Sequence, residues 1–149
     1  MPTLPTITVR ELVSEADIAS ACDLMRLLRP HLRPGTFAAT VAIQRQDGYR
    51  LYAAYNPQLV CLAGVREART LARGEHLFVD DLVTADGVRG QGVGTAMLRW
   101  LAQLAAEKRL PRVYLDSRES AIGFYRKVNF TFLTSVPCWI DVEALLEKT

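Results

Sequence analysis

Sixteen residues in the second half of the chain, Asp80-Asp81-Leu82-Val83-Thr84-Ala85-Asp86-Gly87-Val88-Arg89-Gly90-Gln91-Gly92-Val93-Gly94-Thr95, concentrate the residue types that hold and transfer charged groups. Gly90, Gly92 and Gly94 stand at alternate positions between a predicted strand and a predicted helix. Backbone N–H groups can converge on one point there, and the helix N-terminus adds about half a positive charge. Such a nest suits a phosphate or pyrophosphate; the competing reading is a glycine-rich turn that holds nothing. The stretch is not GxxxxGK[ST], because the P-loop lysine is missing, and not GxGxxG, because Thr95 stands where the third glycine belongs. Mononucleotide hydrolysis and dinucleotide binding both lose ground.

Other groups bear on acid–base chemistry. Adjacent side chains on a strand point to opposite faces, so at most one of Asp80 and Asp81 faces a groove unless a bulge intervenes. Asp116, after the next predicted strand, is a third carboxylate and could equally cap a helix. Arg26, Arg29 and Arg33 fall within eight residues around Pro30 and Pro34. Charge runs of this kind are commonly solvated, yet a guanidinium fork matches a carboxylate in two-point contact. His31 and His76 have no cysteine or paired carboxylate at ligand spacing, so both read as exposed or packed histidines and no metal is expected. Cys22, Cys61 and Cys138 lack CxxC spacing and read as buried thiols of a reducing, cytoplasmic compartment.

These groups must be positioned by a mixed set of elements. Ile7 to Leu12 alternates as a strand, and Ser14 opens a capping signal for one helix with Ile18, Cys22, Met25 and Leu28 on a face, ending before Pro30. Thr36 is expected to cap a shorter helix carrying Phe37 and Val41, closed by Asp47-Gly48. Tyr49 to Tyr55 and Leu59 to Val65 read as a hairpin around Asn56-Pro57-Gln58, and His76 to Thr84 as a further strand. Met97, Leu98, Leu101, Leu104 and Ala105 place an amphipathic helix over Val93 to Lys108. Strand Val113 to Leu115, helix Glu119 to Lys127, strand Phe130 to Ser135, a last strand Cys138 to Val142 and a short helix Glu143 to Lys148 complete an α/β reading.

With 149 residues, 50% of them apolar, the chain is the size of one domain, 1–149, and roughly two-thirds of its surface is expected to be buried on folding. A net charge of +2 is too small for the basic footprint of nucleic-acid binding. No basic segment followed by an apolar one opens the chain, and no run of about 18 apolar residues occurs, so neither export nor membrane spanning is expected. Trp100 and Trp139 read as core or subunit-interface residues, which keeps a homodimer among the expected partners.

Arg89, Gly92 and Gly94 fit [QR]-x-x-G-x-[GA], and Ala121-Ile122-Gly123-Phe124-Tyr125-Arg126-Lys127-Val128-Asn129-Phe130 fits A-x-x-[FLY]-Y-x-k-x-G-F except for Asn129 in place of glycine. With a helix and a strand between them, the two segments make the chain resemble the GCN5-related N-acetyltransferases (GNAT). The resemblance implies the GNAT fold: a single, mixed, mostly antiparallel sheet of six to seven strands flanked by about four helices. It implies acetyl-CoA as cosubstrate, and transfer of its acetyl group to a primary amine by direct attack within a ternary complex. Its pyrophosphate would lie on Arg89, Gly90, Gln91, Gly92, Val93, Gly94 and Thr95, its pantetheine along Leu82 and Val83, and Ser117 would add a contact near the second segment. Tyr125 would give a proton to the departing thiolate, since a phenol's ordinary pKa of about 10 exceeds a thiol's of about 8.5.

Asp80 is the preferred base, with Asp81 the other candidate and water-relayed deprotonation equally consistent with the resemblance. The loop between the first two helices would border the acceptor groove, placing Arg29, Arg33 and Phe37 beside an amino acid or short peptide. A non-catalytic acyl-CoA sensor is the alternative, and turnover discriminates the two.

Overall fold

The computed structural model describes residues 3–147. The backbone divides into two compact units, one running to Asp116 and the other beginning at Ser117. In the first unit the elements are β1 (Thr8–Glu11), α1 (Glu15–Ser20), α2 (Cys22–Leu28), α3 (Pro34–Gln46), β2 (Arg50–Tyr55), β3 (Leu59–Thr70), β4 (Gly74–Thr84), α4 (Val93–Glu107) and β5 (Val113–Leu115). The strands form one sheet in the order β1-β2-β3-β4-β5, antiparallel except for the parallel β4–β5 pair.

Ser14 caps α1 as its pattern predicts, its hydroxyl accepting from the Asp17 N–H at 3.1 Å. The single helix expected up to Leu28 is broken at Ala21, whose N–H turns to the Ile18 carbonyl at 3.0 Å in a tighter turn. Ile18, Ala21, Cys22 and Met25 are nevertheless all buried, so the apolar periodicity located the face but not the break. The next helix begins at Pro34 and not after Thr36. Arg33 is extended at the cap position, and Pro34 occupies the first turn, where its missing N–H costs nothing. Asp47 and Gly48 close it as expected.

The core between α1–α3 and the sheet includes Leu12, Phe37, Val41, Leu51, Leu62 and Val83. The apolar stripe of α4 is buried through Met97, Leu98, Leu101 and Ala105, and Trp100 packs on Tyr52 with ring centroids 4.9 Å apart. His76 is a packed histidine, its Nδ1 3.0 Å from the Gly74 carbonyl oxygen and its ring edge-on to Tyr114.

In the second unit a 3-10 turn over Glu119–Ala121 leads into α5 (Ile122–Lys127), and α6 covers Val142–Leu146. Asn129, the departure from the glycine pattern, has φ 70°, a left-handed conformation that asparagine tolerates. The strands expected over Phe130 to Ser135 and Cys138 to Val142 do not form: residues 131–147 are exposed and find no ladder partner. A β-prone run needs another strand's backbone before it becomes a strand. Among the described residues the count is therefore five strands and six α-helices, where six to seven and about four were expected. Lys148, the end of the predicted terminal helix, lies outside the described residues. Trp139 is 85% exposed, so it is not a core residue of this chain.

Cys22 and Cys61 are buried and Cys138 is exposed, which corrects the expectation of three buried thiols. Burial pushes the Cys61 thiol up to about 12 and raises that of Cys22 as well. Because the thiolate is the nucleophile, both should resist alkylation at pH 8. A disulfide-exchange titration of the native protein should count one fast thiol, Cys138, and all three only in denaturant.

Candidate active site

The centre of the first unit is a defect in β4. Gly64 pairs with Asp81 but Val65 pairs with Val79, so Asp80 is an extra residue in the ladder. A bulge of this kind re-aims side chains that strict alternation would send to opposite faces. Both carboxylates consequently line one cavity of about 640 Å³. The bulge that the simple strand reading required for this outcome is present.

Each carboxylate is held by an arginine. Arg66 on β3 grips Asp80 with Nε and Nη2, at 2.6 and 2.8 Å, and the contact holds its guanidinium charged beyond the usual range. Arg29, just past the end of α2, donates from Nε to Asp81 Oδ1 at 3.0 Å and from Nη2 to the Asp80 carbonyl oxygen at 2.9 Å. The Tyr49 hydroxyl donates to Asp81 Oδ2 at 2.7 Å. Burial, followed by the neighbouring Asp81 charge, raises the Tyr49 phenol far above its ordinary range, so it remains a donor. Met25, Leu32, Phe37 and Val41 give the cavity an apolar wall, and His31, Thr40, Gln44 and Asp47 contribute polar groups. The arrangement can hold a zwitterion or an alkylammonium ion beside a hydrocarbon surface.

Of the acceptor residues read from sequence, Arg29 and Phe37 line this cavity with Asp80 and Asp81. Arg33 is exposed at the cap of α3 and is not among the lining residues. Arg66 and Tyr49 were missed. Arg66 carries no motif, and its place depends on the β3–β4 register together with the bulge. Tyr49 reads only as a strand aromatic. His31, which reads from sequence only as an exposed or packed histidine, borders the cavity.

The strand leads directly to the glycine cluster. Its ladder with β5 ends at Val79↔Leu115, so Leu82 and Val83 pair with β3 but, among the described residues, have no strand neighbour on the β5 side. Residues Asp86–Val88 form a 3-10 turn, and Arg89 pairs with Asp86 at 3.1 Å on the surface. Gly90 and Gly92 have φ of +80° and +86°, and Gln91 between them is exposed. Gly92 caps α4 without any side-chain hydrogen bond, ahead of buried Val93 and half-buried Gly94 and Thr95. The first-turn N–H groups of a 15-residue helix are therefore not closed off by a capping side chain.

In the second unit the Ser117 hydroxyl donates to the Arg118 carbonyl oxygen at 2.8 Å. Tyr125 is buried, with Phe124 and Phe130 edge-on to it at 5.0 and 5.2 Å.

A family model described as acetyltransferase (GNAT) family matches residues 17–130. The chain is 31% identical over 131 residues to the uncharacterized N-acetyltransferase YhdJ of Bacillus subtilis, covering 84% of this chain and 92% of that protein. A crystal structure of an acetyltransferase from Trypanosoma brucei superposes with a TM-score of 0.70 over 92% of this chain and 100% of that one, at 24% identity. A predicted acetyltransferase from Clostridium acetobutylicum, solved with acetyl-CoA, gives 0.69 over 97% and 100%, at 16% identity. These two likenesses are of fold.

The turn before α4 has a testable requirement. A Cβ on Gly92 would adopt φ +86° and meet Leu4 Cδ2 and Pro5 Cδ at 3.3 Å. Left-handed backbone costs an L-residue about 1–2 kcal/mol. Gly92→Ala should lower the unfolding free energy by about that amount in a urea titration, with unchanged helical circular dichroism.

Proposed function

The chain belongs to the acetyltransferase (GNAT) family, and from that premise we propose that it acetylates the primary amine of an amino acid or short peptide by direct attack within a ternary complex. It is an acetyl-CoA-dependent acyltransferase, as its family and N-acetyltransferase relative establish. The observation that carries the proposed acceptor is the cavity in which two carboxylate–guanidinium pairs, with Asp47 as a third carboxylate, face an apolar wall. An amino acid presents the complementary charges.

The residues fit the cosubstrate. Gly90 and Gly92 take φ of +80° and +86°, the α4 N-terminus has no capping side chain, and among the described residues the end of β4 lacks a strand neighbour on one side. Gly90 to Thr95 would hold the pyrophosphate on backbone N–H groups, flanked by Arg89. The backbone of Leu82 and Val83 would accept the pantetheine as an added strand. Ser117 is assigned a further contact. When bound, acetyl-CoA supplies the thioester carbon that the amine attacks.

The chain's own groups then have separate tasks. Both carboxylates accept one donor on each oxygen, Asp80 from Arg66 and Asp81 from Arg29 and Tyr49; with Asp80 the base expected from sequence, Asp81 is assigned here as the group that holds the acceptor ammonium and receives its proton directly or through water. Arg29 and Arg66 meet the acceptor carboxylate, a task assigned to Arg66 in place of Arg33 because it borders the cavity. A backbone N–H of β4 beyond Val79 faces the negative charge that develops on the carbonyl oxygen. Tyr125 Oη gives a proton to the departing sulfur. The full chain, 1–149, acts as one acetyltransferase domain.

The decisive experiment is thiol release from acetyl-CoA across an amine panel. An amino acid should exceed its decarboxylated amine in kcat/KM, and Arg66→Ala should erode that preference while Arg33→Ala leaves it intact. A wild type that prefers the decarboxylated amine, with neither variant altering the ratio, rejects the acceptor assignment. Tyr125→Phe should keep the melting temperature and reduce kcat by on the order of 10² to 10⁴, the scale of general acid catalysis.

A further inference from the structure

Gly64 faces Asp81 across the β3–β4 ladder, beside the bulge. A Cβ on Gly64 would overlap the hydroxyl oxygen and Cζ of Tyr49 and lie 2.6 Å from its Cε1. The phenol therefore crosses β3 over bare backbone, in space that any other residue would fill. Tyr49 is 4% exposed, and its hydroxyl emerges from this crossing onto Asp81 Oδ2. Arg29 holds the other oxygen of the same carboxylate from the end of α2. Asp81 is thus held by two donors on its two different oxygens, one of which reaches it only because residue 64 is glycine.

We infer that Tyr49 is a positioning residue for the acceptor amine, acting through Asp81, and that Gly64 is a glycine in order to admit it. This inference rests on the reading of the cavity as the acceptor site. An aspartate on a strand can turn about its terminal torsion, and two donors on two different oxygens remove that freedom. The phenol stays protonated in its buried site, so its hydrogen bond runs one way, from Tyr49 to the carboxylate. With its orientation fixed, the carboxylate presents its remaining lone pairs to the cavity, where an ammonium group would meet them.

Tyr49→Phe removes one hydroxyl and retains the ring that fills the space above Gly64. Steady-state kinetics should show kcat/KM for the amine lower by on the order of tenfold to a hundredfold, the scale of a hydrogen bond to a charged group, with KM for acetyl-CoA unchanged. In an Asp81→Asn background, Tyr49→Phe should produce no further loss, because the two act through one contact. Gly64→Ala should reproduce the kinetic defect by displacing the phenol, and the Gly64→Ala, Tyr49→Phe double variant should be no slower than Gly64→Ala alone. Tyr49→Phe keeps the question open to measurement even if Gly64→Ala misfolds. Wild-type kinetics in Tyr49→Phe, an equal rise in the acetyl-CoA KM, or full additivity with Asp81→Asn would each overturn the positioning role. If Asp81→Asn itself turns over like the wild type, the reading of the cavity as the acceptor site falls instead.

Discussion

Two adjacent carboxylates on one side of a β-strand are a physical problem that the rest of the site answers. At 4 Å two unit charges of like sign repel by roughly 4 kcal/mol in an effective dielectric of about 20. Regular alternation would avoid the cost by sending Asp80 and Asp81 to opposite faces. The bulge in β4 forgoes that separation, and the surrounding elements supply the compensation. Arg66 comes from the neighbouring strand, Arg29 from the end of α2, and Tyr49 from the residue before β2. The register of β3 and the glycine at 64 are conditions for Arg66 and Tyr49 to arrive beside Arg29.

One strand thereby borders both the cavity and the glycine turn. Through Asp80 and Asp81 it faces the cavity, and six residues after Asp81 the chain is already in the turn that leads to Gly90 and Gly92. Between them, Leu82 and Val83 keep their pairing with β3 but lose β5, which stops opposite Val79. The bulge and the parting of β4 from β5 fall next to each other in sequence. An interruption of regular pairing on both sides of one strand therefore marks where backbone groups become accessible and side chains are re-aimed.

The cavity holds charges of both signs. Asp80 and Asp81 are each matched to a guanidinium group, and Asp47 adds a third carboxylate to the lining. A ligand carrying both charges can engage both halves, and one carrying a single charge must leave some group less well satisfied. The apolar wall of Met25, Leu32, Phe37 and Val41 adds a preference for hydrocarbon next to those charges.

The sequence by itself determined the family and much of the scaffold. Alternate glycines before an amphipathic helix and the Ala121 to Phe130 segment are local patterns, and so are the capping by Ser14 and the strand runs of β2 to β5. Local patterns are legible because they depend on neighbours in the chain. It also singled out Asp80, Asp81, Arg29 and Phe37, but not their mutual arrangement. That was decided by tertiary structure: whether both aspartates face one side depends on a bulge, which is a mismatch between two strands and belongs to neither sequence alone. Arg66 and Tyr49 enter the site through register and packing, and the glycine at 64 acquires its meaning only from a phenol fifteen residues away in the chain. Residues 131–141 show the converse, since their β-prone residues carry the pattern of strands and remain exposed without a partner backbone to pair with among the described residues.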